Sequence, residues 1–336
     1  METHLPKRIE FIDFARALAI LGIALYHYLM PLNSERWFQL AITFGGTGIH
    51  LFFFLSGYGL GLSRPLPALP FYRRRFVKVL GPYYLFVTFV FLLNLLIPIY
   101  PGQGWKDYLS HIFLYKMFFE HHMVSFGFHL WFMSTLIQLY LLFPLLRRLV
   151  SGDKGEIWVV FFAMLALAYN LLIIKLHHAS HRTWNSFFPA YLWEFALGVW
   201  LGLRKDERIF QLSGPKALAL GLSGLVGMAL MTFLIGQAGR LLNDLFAFMA
   251  IMGVVVFIYN LTKILTPLKG IYRFLVLSGP YSYEFYLVHY LGFSVLKYLE
   301  RMGILFYGWW ALPLLLFISA SMAWFFHRLY QWIGFK

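Results

Sequence analysis

The chain has 336 residues, of which 60% are hydrophobic and 12% charged, with no cysteine and a formal net charge of +14. Soluble globular chains carry about 25% charged residues, so an ordinary soluble fold is excluded, and the missing cysteines exclude disulfides, thiolate metal sites and a cysteine nucleophile. The basic excess lies between long apolar blocks, where it reads as a membrane-topology signal and not as a nucleic-acid stripe.

Blocks of about 20 apolar residues cross a bilayer as helices. Ten are predicted, at roughly 11–32, 38–62, 76–100, 128–149, 157–175, 187–203, 215–236, 241–262, 274–298 and 306–328. None shows the period-two alternation of a lipid-facing barrel strand. The predicted fold class is therefore all-α, a polytopic transmembrane helix bundle forming one domain over 1–336. The first block is too long for a signal-peptide core, carries charge and lacks a small-residue cleavage site, so it is expected to be retained. Pro65-Leu66-Pro67, Pro101-Gly102 and Gly214-Pro215 punctuate the connections. The connection at about 101–127 is rich in Tyr, His and Phe and is expected to lie on the membrane surface. With the N-terminus inside, 19 of the 28 Lys and Arg fall on the cytoplasmic side, eight outside, and Arg16 within the first span. That bias predicts cytoplasmic termini and a multi-pass protein of the inner membrane.

The first span holds Asp13, Arg16 and His27. Ionisable groups inside a span are costly and face a partner or a wet cavity. Eleven residues at about 100° each bring His27 to within about 20° of Arg16, some 16 Å further along the axis, and Asp13 falls on the same stripe. An interfacial Asp13–Arg16 pair with His27 in a packing role would be the plain reading. The alignment favours a channel in which Arg16 holds an anion and His27 exchanges a proton.

The second span contains Ser56-Gly57-Tyr58 and Gly61. Gly57 and Gly61 form a small-xxx-small face suited to close helix packing, which also accounts for Ser56. Arg73-Arg74-Arg75-Phe-Val-Lys78 then opens the third span. Four cations at a membrane face suit both anchoring to anionic lipid and the grip of a polyphosphate, since Arg forks pair with phosphate oxygens.

Five segments in register resemble acyltransferase family 3. They are Phe11-Ile-Asp13-Phe-Ala-Arg16 with His27; Gly48-Ile-His50-Leu-Phe-Phe-Phe-Leu-Ser56-Gly57-Tyr58; Arg73 to Tyr84; His129-Leu-Trp131-Phe-Met-Ser134 with Gln138 and Tyr140; and Ser282-Tyr283-Glu284-Phe-Tyr286-Leu-Val-His289. The resemblance covers nearly the whole chain. It implies a stand-alone membrane O-acyltransferase that moves an acyl, commonly acetyl, group from cytoplasmic acyl-CoA to a hydroxyl of an envelope carbohydrate or glycolipid. It also implies possible partners in envelope-glycan synthesis, besides membrane lipids. Arg16 and His27 match the family's essential pair, with Asp13 beside them and His27 as general base. Arg75 and Lys78 match its Arg-x-x-Arg element for the acyl-CoA donor, Lys78 keeping the charge without the fork; Arg73 and Arg74 extend it. Ser56, Tyr58, Trp131, Ser134, Tyr140 and His289 are the candidate substrate-binding residues. Two positions depart from the family: His50 and Leu136 stand where acidic residues are common.

Competing chemistries leave no signature. There is no Gly-x-Ser-x-Gly elbow, no His-x4-Asp pair and no zinc-type His-Glu-x-x-His. His121, His122 and His129 are a generic metal option, and no metal is expected. The alternative function is a transporter or export partner using Asp13, Arg16 and His27 as a proton or anion relay.

Overall fold

Apolar blocks bounded by Pro, Gly and Lys/Arg become helices, because hydrocarbon offers the backbone no partners and each segment must satisfy its own N–H and C=O groups. The computed structural model describes residues 9–33 and 35–333, with backbone alone for Gln237 and Arg240. Lys7, Arg8 and Lys336, which enter the charge count, lie outside the described residues. In chain order the helices are α1 (Glu10–Leu29), α2 (Arg36–Gly46), α3 (Gly48–Leu62), α4 (Ala68–Leu96), α5 (Trp105–Ile112), α6 (Glu120–Met123), α7 (Trp131–Val150), α8 (Gly155–Lys175), α9 (Arg182–Asn185), α10 (Leu192–Arg204), α11 (Gly214–Ile235), α12 (Asp244–Ile264), α13 (Lys269–Ser278), α14 (Ser282–Arg301) and α15 (Ala311–Trp332). No strand occurs among the described residues.

Nine stretches among the described residues are long and apolar enough to cross a membrane. They correspond to nine of the ten predicted spans. The remaining one, at 274–298, is built differently. Gly279 lies so close to α1 that a Cβ there would run into the backbone and side chain of Asp13, and Pro280 cannot donate to a continuing helix. The segment therefore breaks into α13 and α14. At 20 residues α14 is long enough to span. Its first turns carry Ser282, Glu284, Tyr286 and His289 inward, all buried, and that polarity sets it apart from the other nine.

Helix α1 runs through the middle of the bundle, against α3, α12, α13, α14 and α15. Close approach is made by glycine. Gly57 and Gly61 of α3 face Gly198 and Gly202 of α10, and a Cβ on any of the four would strike a carbonyl of the opposite helix. This is the small-residue packing read from Gly57 and Gly61. In α4, Pro82 removes one helical N–H, and the turn before it receives outside donors: Tyr283 Oη to the Val79 carbonyl at 2.6 Å and Tyr330 Oη to the Val77 carbonyl at 3.1 Å. The stretch that carries Arg73–Lys78 is thus tied to α14 and α15.

Candidate functional site: two cavities back to back

The larger cavity, of about 1130 Å³, opens at the face that the charge bias places in the cytoplasm. Asp13 and Arg16 of α1 and Arg73, Arg74, Arg75 and Lys78 of α4 line it. Arg73, Arg74 and Lys78 are exposed, whereas Arg75 turns inward. Its Nη2 donates to Tyr140 Oη at 2.9 Å, the guanidinium lies 4.6 Å from the Tyr140 ring centre, and Tyr140 Oη bonds Ser56 Oγ at 2.7 Å. Ser56 thus has a place in the cavity wall as well as in the packing. Besides Asp13, a second carboxylate faces the cations: Glu284 Oε1 meets His327 Nδ1 at 2.8 Å, and both residues line the cavity. Leu136 also lines it, so the wall is apolar at that position.

The smaller cavity, of about 250 Å³, lies toward the opposite face and contains His27, His50, Trp131 and Arg182. Arg182 is sandwiched by aromatics, 4.6 Å from the Phe128 ring centre and 4.5 Å from that of Trp131. The backbone N–H groups of Arg182 and Thr183 donate to the Glu120 carboxylate at 2.7 and 2.8 Å, which anchors α9 to α6. Burial pushes the Glu120 carboxyl up, but these N–H donors, with the Thr183 hydroxyl, outweigh it and hold the group below its ordinary value. His50 Nδ1 meets Glu194 Oε1 at 2.6 Å, with Glu194 fully buried. His50 of α3 is therefore paired with a carboxylate from α10.

Behind His27 stands a cluster of imidazoles. Ring centres lie 5.5 Å apart for His27 and His289 and 4.9 Å apart for His129 and His289. His129 Nε2 meets the Leu287 carbonyl at 3.1 Å and His289 Nδ1 the Tyr286 carbonyl at 2.8 Å. A carbonyl only accepts, so each of these nitrogens carries the proton. In their neutral form the rings present lone pairs at His129 Nδ1 and His289 Nε2, both buried without a hydrogen-bond partner. Such atoms can receive a proton.

Arg16 and His27 do share one side of α1, but they line different cavities. The sequence pointed to one continuous channel; the bundle instead closes it at the level of Tyr286, whose side stands in the wall of both cavities. Tyr286 is buried, and its hydroxyl donates to the His129 carbonyl at 2.8 Å. The partition forms because large aromatics from α7 and α14 meet there, Phe132 and Tyr286 having ring centres 5.3 Å apart.

Of the other sequence candidates, Tyr140 joins the inner cavity, Trp131 the outer one, and His289 backs His27 without lining either. Tyr58 and Ser134 line neither. Tyr58 is fully buried against Phe54 and Phe210, and Ser134 is buried in α7, so both belong to the packing. Arg182, Glu194 and His327 were not among the candidates. Arg182 could have been suspected as a cation beside aromatics on the less basic face; Glu194 is a lone acid inside an apolar block, the same signal that marked Arg16.

The metal option divides. Among the described residues, Asp107, His121 and His122 bring donor atoms within 4.8 Å of one another, while His129 belongs to the imidazole cluster. Asp107 already serves the loop: Oδ2 accepts from the Gly104 N–H at 3.0 Å and Oδ1 meets His122 Nδ1 at 2.9 Å. Nearby, Lys116 is wholly buried, its Nζ 3.5 Å from the Leu130 carbonyl, and burial pushes its ammonium down to about 7.

The family model described as "Acyltransferase domain", that of acyltransferase family 3, matches residues 9–328 of the chain. No curated protein and no solved structure matches it.

Proposed function

Because the chain belongs to acyltransferase family 3 and is a multi-pass membrane acyltransferase, we propose that its two cavities receive the two substrates from opposite faces of the inner membrane. The donor is acyl-CoA, with acetyl as the acyl group, bound in the inner cavity from the cytoplasm. The acceptor is a hydroxyl of an envelope carbohydrate or glycolipid in the outer cavity. The observation that carries this reading is the shared wall: a cationic cavity and an imidazole-lined cavity on opposite sides of one side chain, Tyr286.

Arg73, Arg74 and Lys78 are exposed and free to follow a flexible polyphosphate, which suits donor binding. Arg75, braced by Tyr140, offers a fixed fork. Arg16, with Asp13 beside it, stands deeper in the same wall, where a guanidinium stabilises negative charge on the thioester oxygen. His27 accepts the proton of the acceptor hydroxyl as that oxygen bonds to the acyl carbon. The carbon–sulfur bond breaks, the ester forms, and the proton leaves with the thiolate, so charge and atoms balance. His289 and His129 are placed to relay that proton, and rotation of Tyr286 would join the cavities for the transfer.

The test uses purified protein in lipid nanodiscs with labelled acetyl-CoA. Acyl transfer or donor hydrolysis that disappears in His27→Ala, with CoA still bound, is the expected result. Turnover unchanged in His27→Ala overturns the assignment. Solute flux into liposomes that needs no CoA would favour the carrier reading. Mass spectrometry of envelope glycans from cells with and without the protein identifies the acceptor by a lost acyl increment.

A further inference from the structure

A third space, of about 770 Å³, lies between the outer halves of α2 and α11. Leu40, Thr43, Met228 and Thr232 stand in its wall and also in the wall of the outer cavity, so the two spaces adjoin. Glycine packing explains the gap. Gly22 of α1 meets Gly45 at the inner end of α2, and Gly221, Gly224 and Gly227 hold α11 against α12. Each helix is drawn to a different neighbour, and their outer halves diverge. No residue of α2 is buried.

The chemistry changes along this route. The groove is apolar, lined by Val226, Ala229, Leu230 and Phe233, with Phe233 81% exposed toward the lipid side. Beyond the four shared residues the surroundings become His27, His50 and Arg182. At the other end stands Arg36, the first residue of α2 and the only charged residue lining the groove among the described residues. A path from hydrocarbon into a small polar chamber, with a cation at headgroup level, is complementary to an amphiphile with an anionic linker. A free sugar arriving from water meets nothing suited to it in the apolar groove, and a bulk lipid chain has no use for the imidazoles beyond it.

We propose that the groove is a lateral passage for the hydrocarbon anchor of the acceptor, which is a lipid-linked sugar whose phosphate meets Arg36 while its sugar hydroxyl enters the chamber of His27. The proposal rests on the outer cavity being the acceptor side and narrows the acceptor to membrane-anchored glycans.

The probe is a C16 alkyl phosphoglucose carrying a diazirine in its chain, incorporated into nanodiscs with the full protein and mapped by mass spectrometry after illumination. Adducts concentrated on α2 and α11, and displaced by excess unlabelled C16 alkyl phosphoglucose but not by C16 alkyl phosphocholine, are expected. Ala229→Trp should cut that labelling at least tenfold, Arg36→Gln severalfold, while Leu171→Trp on lipid-facing α8 leaves it unchanged. Adducts spread evenly over the lipid-facing helices, or displaced equally by both competitors, show bulk lipid in the groove and overturn the proposal. Labelling does not need turnover, so loss of catalysis and loss of the passage are read separately. Where transfer is measurable, the anchored sugar should be acylated at least tenfold more efficiently than methyl glucoside; equal use also overturns it.

Discussion

The cavities on either side of Tyr286 are built from different chemistry and held by different means. The inner one is about 1130 Å³, and most of its charge comes from a single stretch of α4, with three of its four cations exposed. The outer one is about 250 Å³, and its polar groups converge from separate elements: His50 of α3 is fixed by Glu194, Arg182 of α9 by two aromatic rings, and the rings behind His27 by backbone carbonyls. The contrast follows from the work each side is suited to. A large, flexible anion is met well by charge on mobile stems. A proton transfer needs a ring whose tautomer and direction are already set.

The sharpest break of this contrast is expected from His27→Ala. Acyl transfer should fall by at least about 100-fold, the low end of general-base effects, with donor KM unchanged; a changed KM and unchanged kcat would move His27 to the donor side. Glu194→Gln comes next, because it leaves His50 without its buried counter-charge. Loss of one partner from a buried pair costs about 3–5 kcal/mol, and thermal unfolding in detergent should drop accordingly, while Glu120→Gln, on an exposed carboxylate, should shift it much less. In the inner cavity Arg75→Ala removes a charge-assisted fork, worth about 1.5–3 kcal/mol. It should raise donor KM by about tenfold or more without changing the pH profile, and Arg75→Lys should recover part of it. Tyr286→Ala removes the partition itself. Donor hydrolysis in the absence of acceptor should rise severalfold as water beside His27 gains access to the thioester; no rise would mean that other side chains seal the boundary.

The last prediction concerns the outer loop and leaves both cavities intact. The folded Lys116 amine gives up its proton above about 7, whereas the unfolded chain keeps it to near the ordinary lysine value. Between those limits the unfolded state binds more protons, so stability climbs with pH across that window and is lowest below it. Lys116→Met should remove that slope, which amounts to a few kcal/mol in order of magnitude, as read by denaturation at pH 6.5 and 9.5. A slope unchanged by the substitution would show that the amine reaches water.

Much of the scaffold was legible because membrane insertion is a local rule. Apolar runs near 20 residues, Lys and Arg between them, and Gly57-x-x-x-Gly61 each act through their own segment or one neighbour. The common face of Arg16 and His27 was legible for the same reason: 3.6 residues per turn holds wherever the helix sits. The break before α14 was less so, since Gly279 matters through its fit against Asp13, a contact far away in sequence. The burial of Tyr58 and Ser134 was not legible, because a motif position does not say whether a side chain turns to a cavity or to a packed neighbour.

By itself, then, the amino-acid order determined which segments are long and apolar enough to enter the membrane and which polar groups share a helix face, because those follow from length, hydropathy and helical pitch. Only the tertiary structure decided that the stripe on α1 is divided between two chambers, that His50 finds its acid on α10, and that Arg182 stands near His27. These depend on which helices glycine lets come close and where large aromatics meet between them, and such distances are set by packing across the bundle.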